Sequence, residues 1–147
     1  MKEIRPAEAE IAGYSRHKAI INNFCITFST VNGSGSATAN TTLLRALFKM
    51  GIPVSGKNIF PSNIQGLPTW YTLRISKDGY LGRLEKDDIV VSMNAATFLK
   101  EQEYIVPGGV LLYSDGIKLP TIRQDISIYP MPVDEILNTA EVQSKLK

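Results

Sequence analysis

One cysteine, Cys25, and one histidine, His17, are all the 147-residue sequence contains of these two residue types. A single thiol cannot close an internal disulfide, and four-ligand Cys/His zinc sites and cysteine-held iron–sulfur clusters lack their ligands. A Ser-His-Asp or Cys-His arrangement would need His17, which lies in the polar run Tyr14-Ser15-Arg16-His17-Lys18 and reads as surface. Long apolar runs are missing as well. Ile89-Val90-Val91 and Val110-Leu111-Leu112-Tyr113 are far too short to span a bilayer, so no membrane helix is expected. The N-terminal Met1 to Gly13 alternates Lys2, Glu3, Arg5, Glu8 and Glu10 without an apolar h-region, which predicts a cytoplasmic chain. Nor is there an excess of one charge. Sixteen Lys and Arg against fourteen Asp and Glu leave +2, too balanced to imply nucleic acid or an acidic membrane as partner. What remains is a composition of 44% hydrophobic and 20% charged residues, ordinary for one globular domain.

Along the chain, Phe24, Ile26 and Phe28 alternate with Cys25, Thr27 and Ser29, which predicts a strand over 22–31. It runs into the small polar loop Asn32-Gly33-Ser34-Gly35-Ser36 and then a helix from Ala37 to Met50. Leu43, Leu44, Leu47 and Phe48 form its apolar stripe, Ser36 or Thr38 can cap it, and Gly51 with Pro53 ends it. From Ile52 to Pro68 regularity fails: prolines, glycines and amides interleave with Ile59, Phe60, Ile64 and Leu67, as in a functional loop or a short strand with an Ω-loop. Strand character returns at Thr69–Ser76, with Lys77-Asp78-Gly79 as a hairpin turn into Tyr80–Arg83. Asp88–Met93 reads as a buried strand and Ala95–Glu103 as a short helix. Pro107-Gly108-Gly109 breaks the chain before a strand at Val110–Tyr113, and Ile126, Ile128 and Met131 mark the last strand. A helix then opens at Pro132 and runs through Leu146, with acids at its start and lysines at its end. Strands alternating with helices predict an α/β domain with a largely parallel sheet and one hairpin excursion.

The glycine motifs are suggestive and incomplete. Gly33-Ser34-Gly35-Ser36-Ala37-Thr38 begins like a dinucleotide fingerprint, but Thr38 stands where the third glycine belongs. No acid follows about 20 residues on to hold a ribose. The loop retains the capacity to bind an anion through amides at a helix N-terminus. Gly51-Ile52-Pro53-Val54-Ser55-Gly56-Lys57-Asn58 approaches a phosphate-binding P-loop, yet Asn58 replaces the Mg²⁺-ligating hydroxyl and the segment follows a helix, not a strand. Glu85, Asp87, Asp88, Glu101 and Glu103 show no acid–base pair spacing and read as solvated surface. No catalytic set is visible in the chain itself.

Two stretches resemble one family. Asn32-Gly33-Ser34-Gly35-Ser36 through Asn40-Thr41, and the irregular run from Pro53 to Trp70, are similar to the γ-type domain of 2-oxoacid:ferredoxin oxidoreductases. The nearer likeness is to the N-terminal part of the fused α subunit of the 2-oxoglutarate type. Lys77-Asp78-Gly79-Tyr80 and Val106-Pro107-Gly108-Gly109 extend it. The resemblance implies a three-layer α/β/α sandwich with a largely parallel or mixed sheet, over residues 22–147, after an N-terminal extension at 1–21. It also implies that the domain is C-terminally incomplete, because relatives continue into another helical segment and a thiamine-binding α domain, and that an apolar face stays open near the last helix.

The family converts a 2-oxoacid and coenzyme A to acyl-CoA and CO₂ and passes electrons to ferredoxin. By the resemblance, this chain alone holds no cofactor. Thiamine diphosphate, Mg²⁺ and the iron–sulfur clusters belong to the α domain, the β subunit or other partners, and coenzyme A is the co-substrate whose access the γ domain shapes. Carried over by position, the candidate contacts are Gly33, Ser34, Gly35 and Ser36 in the glycine loop and Ser55, Lys57, Asn58, Ser62 and Asn63 in the long signature segment. Lys57 and Asn58 are expected to offer a cation and an amide to substrate or coenzyme A. Ala37 stands where many relatives carry glutamine. The competing reading is a non-catalytic ligand-binding or protein-interaction domain that reuses the fold.

Overall fold

A computed structural model of the chain describes residues 21–61, 64–118, 121 and 123–140. His17, Ser62, Asn63, the extension at 1–20 and the helix expected beyond 140 lie outside the described residues. Six strands form one sheet in the order β2-β3-β1-β4-β5-β6. They are β1 (Asn23–Val31), β2 (Val54–Ile59), β3 (Pro68–Ser76), β4 (Asp87–Ser92), β5 (Ile105–Ser114) and β6 (Ser127–Met131). Helices α1 (Ser36–Lys49), α2 (Phe98–Glu103) and α3 (Val133–Thr139) complete the described elements. β1, β4, β5 and β6 run parallel, and β3 is antiparallel to both β1 and β2. The hairpin excursion is therefore β2–β3, inserted between β1 and the edge. The segment after Lys77-Asp78 does not form the second arm expected of it. Residues 79–86 instead run irregularly across to β4, which pairs with the other side of β1.

Helices lie on both faces, as the three-layer expectation requires. A side chain at Gly56 of β2 would point at Leu44 of α1 and the Tyr71 hydroxyl. On the opposite face, Ser29 and Trp70 donate to Glu101 of α2. The α2 side carries the core: Val90, Phe98, Ile105, Leu111, Tyr113 and Ile117 form one buried cluster, with Phe98 edge-on to Tyr113 at 5.7 Å between ring centroids. This inverts the apparent polarity of β1. Its buried positions are Cys25, Thr27 and Ser29, whereas Phe24, Ile26 and Phe28 are half-buried on the α1 side. Ile89, Val91, Val110 and Leu112 continue that half-buried stripe across the sheet, next to exposed Tyr129. No residue of α3 is buried, and Ile136 is exposed. Among the described residues the apolar stripe on this face of the sheet is half-buried. Among the described residues no helix is long and apolar enough to cross a membrane.

Two local readings change. Pro107-Gly108-Gly109 does not break the chain; it lies within β5. Asp87 pairs with Ile105 and Ile89 with Val110, so the register shifts across the intervening residues as a bulge. Gly108 takes φ +78° there, and its N–H donates to the Asp125 carbonyl at 2.6 Å. Second, neither Ser36 nor Thr38 caps α1: Gly35 occupies the N-cap position with φ 80°, and no side chain bonds the helix end. The Ser36 hydroxyl bonds Thr30 Oγ1 at 2.8 Å instead. The other end follows expectation, with Gly51 at φ +78° just past Met50.

Candidate functional site

The C-terminal end of β1 is where the sheet's connections diverge, α1 crossing one face and the β4–α2 connection the other. Open α/β sheets bind ligands outside the carboxyl ends of their strands at such points. Here a cavity of about 360 Å³ opens on the α1 side, lined by Thr30, Asn32, Gly33, Gly35, Ser36 and Ala37, by Asn40 of α1, and by Asn58, Thr69 and Tyr71 of the hairpin. Gly33 (φ +87°) and Gly35 (φ +80°) occupy backbone conformations that side chains oppose. The first turn of α1 holds no acid and no side-chain cap, so its amides present partial positive charge toward the cavity.

The glycine loop and the signature segment are physically one unit. Asn32 N–H donates to the Leu67 carbonyl at 2.8 Å, Gly66 N–H to the Asn32 carbonyl at 2.9 Å, and Asn32 Nδ2 to the Ile64 carbonyl at 3.1 Å. Gln65 lies directly over Gly33, where a Cβ would stand 2.9 Å from its Cγ. On the hairpin, the Thr69 hydroxyl donates to Asn58 Oδ1 and to the Ile59 carbonyl, each at 3.3 Å.

Of the candidate residues, Gly33, Gly35, Ser36 and Asn58 converge on this cavity, and Ser34 sits in the loop without lining it. Lys57 and Ser55 do not join them. Residues 54–59 are a strand, not a loop, and alternate side chains leave opposite faces of it. Asn58 shares the α1 side with Gly56, while Ser55 and Lys57 point to the other; Ser55 Oγ there donates to the Leu81 carbonyl at 2.8 Å. The expected Lys57–Asn58 partnership is thus separated by strand geometry. Thr30, Thr69 and Tyr71 were not foreseen, because their place depends on β1–β3 pairing, which no local pattern reveals. Asn40 was foreseen only as part of the resemblance; it is 7% exposed.

The opposite face holds a second cavity, of about 210 Å³, between α2, Trp70 and the start of β4. It overturns the solvated-surface reading for two of the acids, while Glu85 and Glu103 are exposed as expected. Asp87 is 1% and Glu101 5% exposed, and both line it. Burial pushes the Asp87 carboxyl above its ordinary 3.8, against the opposing pulls of the Thr27 hydroxyl and the Arg83 guanidinium. Burial likewise raises the Cys25 thiol, so this lone cysteine is a packed, protonated group and not a nucleophile. Because the folded chain holds the Asp87 proton more tightly than the unfolded chain, this group's contribution to stability is present below pH 3.8 and is lost as pH rises through its raised folded value. Asp87→Asn is expected to raise the melting temperature at pH 7 by about 2–4 °C and to leave it unchanged near pH 3. The Arg83 partner is 35% exposed and solvates readily when the ion pair is removed. Calorimetric scans of both forms from pH 3 to 8 check this, and a less stable variant at pH 7 would show that the Arg83 pair outweighs burial.

The comparisons with known proteins agree with the fold. Residues 25–146 match the pyruvate ferredoxin/flavodoxin oxidoreductase family. The chain belongs to that family. Over 99 residues it is 28% identical to 2-oxoacid:ferredoxin oxidoreductase 2, subunit alpha, of Aeropyrum pernix, a match covering 67% of this chain and 15% of that protein. The chain thus spans about one seventh of the length of the curated relative it matches. Among solved structures, the 2-oxoglutarate:ferredoxin oxidoreductase of Magnetococcus marinus, with 2-oxoglutarate, coenzyme A and succinyl-CoA bound, superposes with a TM-score of 0.69 at 19% identity, covering 83% of this chain and 22% of that one. A pyruvate oxidoreductase subunit of Thermotoga maritima gives 0.65 at 19% identity, with 81% and 67% covered. The keto/oxoacid ferredoxin oxidoreductase gamma subunit of Geobacter sulfurreducens gives 0.61 at 21%, with 80% and 64% covered. These likenesses establish a shared fold, and the family match carries the membership.

Proposed function

We propose that this chain is the γ-type part of a cytoplasmic 2-oxoacid:ferredoxin oxidoreductase, working with a thiamine-binding α domain and a β subunit. The assembled enzyme would take a 2-oxoacid, 2-oxoglutarate in the first instance, and coenzyme A to acyl-CoA and CO₂, with ferredoxin as electron acceptor. The observation that carries this reading is the glycine-loop cavity. Uncapped amides at the start of α1 suit a phosphate or carboxylate, and Asn58 and Tyr71 offer neutral polar contacts to the rest of a bound molecule. Thiamine diphosphate, when bound in the partner domain, supplies the electron sink for decarboxylation. The role of Gly33, Ser34, Gly35, Ser36 and Asn58 is to position coenzyme A at that site. Ser55 and Lys57, on the other side of β2, are assigned to surface that meets the α and β partners. The near-neutral charge and the half-buried apolar sheet face both suit a protein partner.

The test is steady-state kinetics of the reconstituted enzyme. Asn58→Ala is expected to raise KM for coenzyme A about tenfold and leave kcat within about twofold, as removal of a ground-state binding contact does. An unchanged KM for coenzyme A would sink the assignment of this cavity.

A further inference from the structure

We propose that Asn40 is a specificity-determining residue of the glycine-loop cavity, its carboxamide reading the amino edge of the adenine of coenzyme A. The inference rests on the assignment of this cavity to coenzyme A and names the part of the molecule held there. A helix packed on a sheet ordinarily buries apolar side chains, yet the residue that α1 buries is an asparagine. Asn40 is 7% exposed and lines the cavity, and among the described residues its carboxamide has no hydrogen-bond partner. Nor is the amide sealed off. Among the described residues, the buried polar atoms with neither a partner nor a free surface are Arg74 Nε, Asp87 Oδ1, Ser92 Oγ and Glu101 Oε2. Both amide atoms of Asn40 therefore keep a surface, and the open space beside this residue is the cavity. A polar side chain buried this far is ordinarily paired.

The chemistry of the carboxamide selects its partner. A phosphate or carboxylate would satisfy Nδ2 and leave Oδ1 facing another acceptor. An ammonium would satisfy Oδ1 and leave Nδ2 unused, and a hydrocarbon would satisfy neither. A planar, uncharged group with an N–H donor beside an acceptor satisfies both, as the amino edge of adenine does for an asparagine. The amides of the pantetheine arm fit less well, because N–H and C=O point opposite ways across a trans amide. The walls agree. Among the described residues, none that lines the cavity carries a charge, and half-buried Tyr71 supplies an aromatic ring beside which a base can lie. Asn58 is less suited to the reading, since its Oδ1 already accepts from the Thr69 hydroxyl at 3.3 Å. The amides at the start of α1 lie one helical turn from Asn40, about 5 Å, so one nucleotide meets them with its phosphate and Asn40 with its base.

The reconstituted enzyme tests this with coenzyme A and its 1,N6-etheno derivative, whose fused ring removes the N–H donors of the adenine amino group. In the parent, KM for the etheno compound is expected at least about tenfold above that for coenzyme A, with kcat within about twofold. Asn40→Ala should raise KM for coenzyme A by a similar factor. It should also bring the two compounds within about threefold of each other, because a contact already lost is not lost again. Alanine is the best helix former, so α1 is expected to survive the change. Asn40→Ser, which keeps a small polar group on the wall, should behave alike and serves where alanine disturbs the helix. Equal increases in KM for both compounds would make Asn40 a support of the cavity or a contact of the pantetheine arm, and would overturn the assignment to adenine. An unchanged KM for coenzyme A in both variants would mean that water satisfies the amide, and would overturn it too. Asn58→Ala separates that failure from a failure of the cavity: a raised KM there keeps coenzyme A in place without Asn40, and an unchanged one removes both.

Discussion

Gly109→Ala is expected to cost about 1–3 kcal/mol of folding free energy and to lower the melting temperature by about 5 °C or more. A Cβ at this position would stand 2.6 Å from Ile105 Cγ2 and 2.9 Å from the carbonyl oxygens of Asp88 and Val106. Two of these three neighbours are backbone, and Ile105 is itself fully buried, so none can swing aside. Gly109 sits in the bulge where β5 passes β4, and pushing β5 outward would loosen the pairs that follow, from Ile89–Val110 to Ser92–Tyr113. Those strands carry Val90 and Leu111 into the core. Gly82→Ala is the matched control: its Cβ would meet nothing within 4 Å and its φ is not in the left-handed region, so its melting temperature should stay within about 1 °C of the parent. Thermal melts of the three proteins decide the matter. Equal stability of Gly109→Ala and the parent would mean that the bulge is slack enough to absorb a methyl group.

That bulge shows where sequence reasoning stops. Proline followed by two glycines is the strongest local punctuation in the chain, and read locally it ends one element before another begins. Pairing with β4 keeps it inside a ten-residue strand. The choice between a functional loop and a short strand at β2 could not be made locally, for a related reason. Val54–Ile59 carries Gly56, Lys57 and Asn58 in place of an apolar alternation, and its identity as a strand comes from hydrogen bonding to β3 at the sheet edge. The placement of Asn58 apart from Lys57 followed from that and from nothing local. By contrast, β1 and α1 were legible from alternation and from a helical stripe, as was the glycine loop between them, because those signals are written in consecutive residues.

The acids are the sharper lesson. Phe98, Glu101 and Gln102 fall on one face of α2 at the spacing of a buried stripe, and all three are buried. Two of them are polar, so composition disguised the face as solvated. Only the fold brings Ser29 of β1, Trp70 of β3 and Asp87 of β4 around Glu101. Chemistry assembled from four separate elements leaves no trace in the spacing of any one of them.

Gly33→Val is expected to lower kcat/KM for coenzyme A about 100-fold in the reconstituted enzyme, the size of effect a displacement of about 1 Å produces at a positioned site. A β-branched residue at φ +87° is strained by about 1–3 kcal/mol, and the added carbons also run into Gln65. Gly33 is exposed, so the chain can relieve this by moving the loop without unfolding, and the melting temperature should fall by only a few degrees. What moves are the amides at the start of α1 and the bonds from Asn32 to residues 64–67 that tie both halves of the site together. Gly33→Ala separates the two causes. Its clash is with the Gln65 side chain alone among the three nearest atoms, so Gln65→Ala in the same chain removes the collision and leaves only the backbone strain. If loop placement governs coenzyme A, the double variant should recover part of the KM lost in Gly33→Ala, while Gln65→Ala alone stays close to the parent. If the double variant recovered nothing and Gln65→Ala alone were as damaged as Gly33→Ala, Gln65 itself would be the contact, and the glycine would matter only for making room for it.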